Sequence, residues 1–177
     1  MIGKGKSISH GTAALEYDLA KEIDGQTAAI EIARHELYGC TGAEMVQEMK
    51  PYHADFPNVK NNCLRFEVSP SIEESATFTD ADWAELGNDF MQRMGLANHQ
   101  YIIIRHSGTE SKKEQAHLHI LANRVSLSGE LYRDNWIGKK ATEAANAIAK
   151  ERNFVQSQDI GKANKAEIKE AMDDVLK

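Results

Sequence analysis

Three histidines offer the most chemistry in this sequence: His106, His117 and His119. His117 and His119 stand two residues apart in QAHLHILANRV (115–125), a stretch that reads as a strand. Side chains alternate along a strand, so both imidazoles fall on one face. His106 closes the preceding strand-like run, which holds Tyr101-Ile102-Ile103-Ile104, across what reads as a hairpin. Three imidazoles so placed could close on one divalent ion and leave coordination positions open for substrate and water. Neutral imidazole is a good ligand at neutral pH. Histidines on strands are also common structural residues, and spacing alone admits both readings. His10, His35, His53 and His99 fall outside the arrangement.

Tyr17 is the second candidate. On a helix over 12–23 the apolar stripe is Leu15, Leu19 and Ile23, and Tyr17 lies roughly 200° around from Leu15. Ala13 and Ala20 beside it are small. The phenol could meet a substrate there, and a plain surface tyrosine fits the same pattern. Glu67 is the third. It falls on a strand over 62–69, on the face opposite Leu64, Phe66 and Val68. A carboxylate there could orient a metal-bound histidine or take a proton, and it could equally be a solvated acid.

The elements that must position these residues follow from periodicity. Helices are predicted over 12–23, 42–49, 79–94 and 137–152, and strands over 6–9, 62–69, 99–107 and 115–125. Thr41 is a candidate N-cap, and Thr79 with Asp82 resembles a capping box ahead of the stripe Trp83, Leu86, Phe90 and Met94. A last amphipathic helix would carry Ile168, Met172 and Val175. Strands and helices alternate loosely, with two adjacent strands after the middle helix. That order suits an α+β domain with a mainly antiparallel sheet.

Composition narrows the class. At 177 residues, with 41% hydrophobic and 27% charged residues, the chain can bury a real core, and disordered or collagen-like classes are excluded. No run approaches the roughly 20 apolar residues that cross a bilayer. MIGKGKSISH lacks the apolar stretch of a signal peptide, so a cytoplasmic location is expected. Cys40 and Cys63 form no CxxC and are expected to be reduced packing residues. A net charge of −6 argues against coating nucleic acid through bulk charge. An enzyme acting on nucleic acid needs only a local basic groove. Lys139, Lys140, Lys150 and Arg152 could supply backbone contacts or form a solvated helix face.

HLHILANRV, with the upstream histidine of IIIRHSG, resembles the metal-binding motif of plasmid mobilization relaxases of the HUH endonuclease superfamily, MOB-P-like branch. FEVSPSIEESATFTDADWAELGNDFMQRMGL is similar to that family's Ser-Pro strand end and following helix, and ALEYDLAK resembles its tyrosine motif. The three segments keep family order and span most of residues 1–155. The connection between His106 and His117 is longer than the compact family spacing. Ser107-Gly108 stands where an acid usually follows, and Glu110 and Glu114 are the nearest substitutes.

The resemblance implies a five-stranded antiparallel sheet flanked by helices (the HUH, ferredoxin-like relaxase fold) over residues 1–155. The chain stops in or just after a helical pattern, so residues 156–177 are expected to be a helical extension leading into a longer protein. The resemblance also implies nicking of single-stranded DNA at a transfer origin, with Tyr17 as nucleophile through a 5′-phosphotyrosyl intermediate. His106, His117 and His119 would hold a divalent metal, Mn or Mg first and Zn or others next. Glu67 would assist, and Ser69, Asn123 and Arg124 would lie at the DNA or support the strand. Lys139 and Lys140 join them as DNA-contact candidates, and an accessory mobilization protein is an expected partner, with no membrane. A rolling-circle replication initiator, a non-catalytic metal-dependent DNA-binding module and a three-histidine hydrolase are the alternatives. Replacing Tyr17 by Phe separates the nucleases from the other two.

Overall fold

Strands β1 (Ile2–Ile8), β4 (Ala29–His35), β5 (Cys63–Ser69), β6 (His99–His106) and β7 (His117–Ser126) make one five-stranded sheet. Its order is β1-β5-β7-β6-β4, and every neighbouring pair is antiparallel. A small hairpin, β2 (Glu22–Ile23) and β3 (Gln26–Thr27), stands apart. Helices α1 (Gly11–Leu19), α2 (Gly42–Met49), α3 (Ile72–Ser75), α4 (Asp80–Arg93) and α5 (Ile137–Glu151) flank the sheet. This is the expected α+β architecture. The computed structural model describes residues 1–108, 115–156 and 159. Glu110, Glu114 and the expected helix with Ile168, Met172 and Val175 lie outside the described residues. Among the described residues no helix is long and apolar enough to cross a membrane.

The sheet is covered on both faces, which explains the near-continuous apolar runs of its inner strands. On one face Leu64, Phe66, Val68, Ile103, Leu118 and Ile120 pack under Trp83, Leu86 and Phe90 of α4 and Ala141, Ala145 and Ile148 of α5. On the other, Cys63, Ile102, Ile104 and Leu121 meet Ala14 and Leu15 of α1 and Met45 and Met49 of α2. Burial of each such large side chain contributes roughly 1.5–3 kcal/mol. Both expected caps form. Thr41 and Thr79 accept from the backbone N–H of Glu44 and Asp82, whose carboxylates return to the cap backbone.

The interior of β1 is short of side chains for a reason. A Cβ on Gly3 would sit 2.4 Å from the Ala141 carbonyl oxygen and 2.6 Å from the Ala145 Cβ. Strand and helix approach so closely that only glycine faces alanine there.

Four expectations need correction. The opening strand runs Ile2–Ile8, not 6–9, because its glycines break the apolar alternation that would mark its start. The first helix ends at Leu19, not at residue 23, and Ile23 belongs to β2. The chain reverses at Asp24-Gly25, both with positive φ (52° and 73°), the signature of a tight hairpin turn. Strand β4 was not expected. It is an outer strand with a register shift between Glu31 and Ala33, which scrambles the alternation that would mark it. Cys63 is buried as expected, with its thiol pushed up to about 11 by burial, but Cys40 is exposed and packs no core.

Gly3→Ala is expected to destabilise the domain by about 1–3 kcal/mol through overpacking between β1 and α5. Urea unfolding checks it, and an unchanged midpoint would show that the helix yields at no cost.

Candidate metal centre and its surroundings

The hairpin of β6 and β7 brings His106 directly opposite His117, and His119 follows two residues on along the same face. The potential ligand atoms of the three rings all lie within 4.8 Å of one another. Ring centroids are 4.4 Å apart for His106 and His119 and 5.0 Å for His117 and His119. His106 and His117 are buried and His119 is partly so. Spacing alone left metal site and unrelated histidines open; the fold brings the three together.

The residue that organises them lies on α1. The buried stripe of that helix is Gly11, Ala14, Leu15 and Asp18. Asp18 is only 1% exposed, although it is a carboxylate. Arg65 of β5 grips it with two nitrogens, Nε to Oδ2 at 3.0 Å and Nη2 to Oδ1. Breaking a buried pair of this kind costs roughly 3–5 kcal/mol, less here because Arg65 keeps some contact with water.

The main-chain oxygen of Asp18 accepts from His106 Nε2 at 2.7 Å, which leaves Nδ1 as that ring's free lone pair. His117 donates from Nδ1 to the Gln115 carbonyl at 3.0 Å, leaving Nε2 bare. Arg65 Nη2 stands 3.2 Å from His119 Nδ1 and, having no lone pair, must donate. The His119 proton then sits on Nε2, 3.1 Å from His117 Nε2. Coordination through His119 Nε2 requires that proton to move to Nδ1, where Asp18 Oδ1 lies 3.8 Å away. The donor set therefore fits a divalent ion: three imidazoles, two of them fixed by outward hydrogen bonds and the third facing a carboxylate.

Burial penalises the charged form of these rings. It pushes His119 down to about 2, with His106, His117, Arg65 and Lys4 adding to the effect. It also lowers His106, against the opposing hydrogen bond to Asp18.

Tyr17, next to Asp18 in the chain, points outward and is 60% exposed. Its phenol meets Lys21, whose Nζ lies 3.5 Å from the oxygen. Glu67 pairs with His119 across the β5–β7 ladder, on the same face, and its carboxylate accepts from Lys4 Nζ at 2.9 Å. Lys4, Lys6, Arg65, Glu67 and His119 line an open groove of about 200 Å³. Ser69, nearly buried, accepts from Gln115 Nε2 at 3.2 Å.

Asn123 is fully buried. Its carbonyl accepts from His53 at 2.7 Å and Val125 N at 3.0 Å, and its amide donates to Gln100 and to the Met49 carbonyl. It ties the end of α2 to β7 from inside the fold. Arg124 donates to the carbonyls of Asn61 and Tyr132 and to Asp134. Lys140 is drawn over the Tyr132 ring and to the Arg133 carbonyl, while Lys139 lies exposed near Glu143. Sequence reasoning missed Asp18 and Arg65. Asp18 was within reach, because it stands four residues after Ala14 and three after Leu15, on the face that docks.

A family model described as relaxase, MobA/VirD2-like, nuclease domain, matches residues 17–154. Among solved structures, a similar chain is the conjugative relaxase TrwC in complex with oriT DNA, in its metal-bound structure. It is 14% identical, the match covers 85% of this chain and 69% of that one, and the TM-score is 0.44. No curated protein matches the chain.

A histidine whose folded pKa lies below its unfolded value binds fewer protons when folded, so stability drains away as pH falls below the unfolded pKa of about 6.5. In metal-free buffer the unfolding free energy from urea titrations is expected to fall as pH drops below that value, by at most about 1.4 kcal/mol per pH unit per histidine. His119→Asn should flatten the slope, and equal slopes in both proteins would count against this assignment. Asp18→Asn keeps the shape but removes the charge facing His119. It is expected to weaken Mn²⁺ or Zn²⁺ binding about 10- to 100-fold in calorimetric titration.

Proposed function

Because the chain belongs to the MobA/VirD2-like relaxase family of nuclease domains, we propose that it nicks single-stranded DNA at a transfer origin through a covalent tyrosyl intermediate. The observation that carries this reading is the convergence of His106, His117 and His119 against Asp18, whose chain neighbour is Tyr17. Tyr17 is the proposed nucleophile. Its exposed ring can turn toward the groove without leaving a core contact. The phenolic oxygen attacks a phosphate, the P–O3′ bond breaks, and a 5′-phosphotyrosyl link and a free 3′-hydroxyl result. The link conserves the phosphodiester's energy, so the hydroxyl can reverse the step and reseal the strand.

A divalent ion in the histidine site, Mn or Mg by our reading and Zn as a further fit, supplies Lewis-acid polarisation of the scissile phosphate. The chain's own residues do the rest. Asp18 and Arg65 fix α1 against the histidines, and so set where the helix carries Tyr17. Lys4, Lys6 and Arg65 bring three cations to the groove where a DNA backbone would lie; Glu67 pairs with Lys4 and Asp18 with Arg65, which leaves a small positive surplus for phosphates. Glu67, half-buried at that groove, is our assignment for the base that takes the phenolic proton. Lys21, against the Tyr17 oxygen, offsets negative charge there. A duplex keeps its bases paired and stacked and its backbone stiff, so a strand that lays its bases along this groove is single-stranded or extruded.

One observation favours a second reading. The Tyr17 phenol rests on Lys21 and not on a histidine, as it would in a hydrolase where water attacks. Tyr17→Phe decides between them. With Mn²⁺ or Mg²⁺ and single-stranded oligonucleotides tiled across the DNA flanking the gene, the parent should give a denaturant-resistant protein–DNA adduct that chelator abolishes. Tyr17→Phe should lose the adduct by at least about 1,000-fold while keeping metal affinity. Cleavage that survives the substitution and leaves no protein attached would establish the hydrolase.

A further inference from the structure

We infer that Trp136, with Lys139 beside it, is a base-stacking station for single-stranded DNA on the outer edge of the domain. The inference rests on the proposed single-stranded substrate and extends its path. Trp136 is the N-cap of α5, and three of its properties oppose local preference. Its backbone is left-handed, φ 59° and ψ 27°, a region that favours glycine and asparagine. Its side chain makes no cap hydrogen bond, at a position that favours Asn, Asp, Ser or Thr. Its indole is 80% exposed. A large aromatic ring is thus held in a strained backbone where it gains little packing. Outliers of this kind gather at binding sites.

The surroundings identify the occupant. Lys139, three residues on, is exposed, and Arg133, three residues back, is exposed as well. Lys140 and Glu143 complete a shallow recess beside the indole, and Lys139 reaches Glu143 only loosely, at 3.8 Å. An open aromatic face among cations suits a nucleobase whose phosphates meet the ammonium groups.

Topology connects the recess to the histidines. Two residues after Trp136, a Cβ on Gly138 would lie 3.5 Å from the Gly5 carbonyl of β1. The chain neighbours of Gly5, Lys4 and Lys6, line the groove that also holds Glu67 and His119. Because β1 is an edge strand of the sheet, a path from groove to indole rounds a single strand. Single-stranded DNA crossing the groove would pass Lys4 and Lys6 before reaching Trp136.

The test uses the full chain and oligothymidylates. The protein has two tryptophans, and Trp83 is 2% exposed in the core, so quenching of the accessible indole reports Trp136. Oligothymidylate is expected to quench it. Trp136→Ala and Trp136→Gly should weaken binding at least about fivefold, with Trp136→Phe retaining most of it. Trp136→Gly should also hold or raise Tm, because glycine relieves the left-handed backbone. A Trp136→Gly protein that melts early and binds as the parent does would make the residue structural and overturn the inference. Equal quenching by duplex would overturn it too. Adduct formation with origin DNA is scored separately. An adduct with undiminished affinity in Trp136→Ala removes the station and keeps the nuclease. Trp136-dependent binding with no adduct supports the station and removes the nuclease.

Discussion

The Asp18–Arg65 pair joins α1 to the sheet, and the site depends on it. A carboxylate that is almost wholly buried must be matched by charge and hydrogen bonds, or its desolvation would favour the neutral acid or an undocked helix. Arg65 matches it from β5 with two nitrogens. Once Asp18 is held, its main-chain oxygen reaches His106 and its carboxylate faces His119. One residue thus fixes the helix that carries Tyr17 and sets which nitrogen of a histidine is available. Shape and chemistry are coupled through a single buried charge.

The sheet divides its two faces unequally. Beneath α4 and α5 the packing is apolar throughout the ladder, reinforced by the close approach of β1 to the alanines of α5. On the other face, α1 and α2 cover only part of the strands. Leu121, Ile102 and Ile104 are sealed there. Further along the same strands His119 borders an open groove, and His106 and His117 lie buried behind it. The apolar half gives rigidity to β6 and β7, and those two central strands present the imidazoles. A site built on paired strands holds its geometry better than one built on loops.

Charge behaves in the same local way. The chain carries a net charge of −6, yet Lys4, Lys6 and Arg65 gather at the groove and Lys139 and Lys140 beside Trp136. Over distances beyond about 8 Å at physiological salt the distributed acids are screened, so a strand of phosphates feels the nearest side chains. Several residues first read as contacts to DNA are otherwise engaged. Asn123 ties α2 to β7 from the interior, and Arg124, next to it in the strand, ties Asn61, Tyr132 and Asp134 together.

The sequence determined the pieces that depend on local periodicity. Thr79 and Asp82 marked the start of α4, alternation around Leu64, Phe66 and Val68 marked β5, and two histidines two residues apart had to share a face. It also marked the α+β class, because a strand pair followed the middle helix. What it could not determine were the relations between segments distant in the chain. Strand β4 lies on an edge and carries a register shift, so no clean period announced it. The end of α1 was misplaced because Leu19 and Ile23 continue a helical spacing that the Asp24-Gly25 turn interrupts. The role of Asp18 was invisible for a deeper reason. A carboxylate in a helix is ordinarily solvated, and only packing α1 over β5 and β7 brought Arg65, from 47 residues away, to meet it. Local preference depends on neighbours in the chain, whereas a buried charge depends on neighbours in space, and those exist only after folding.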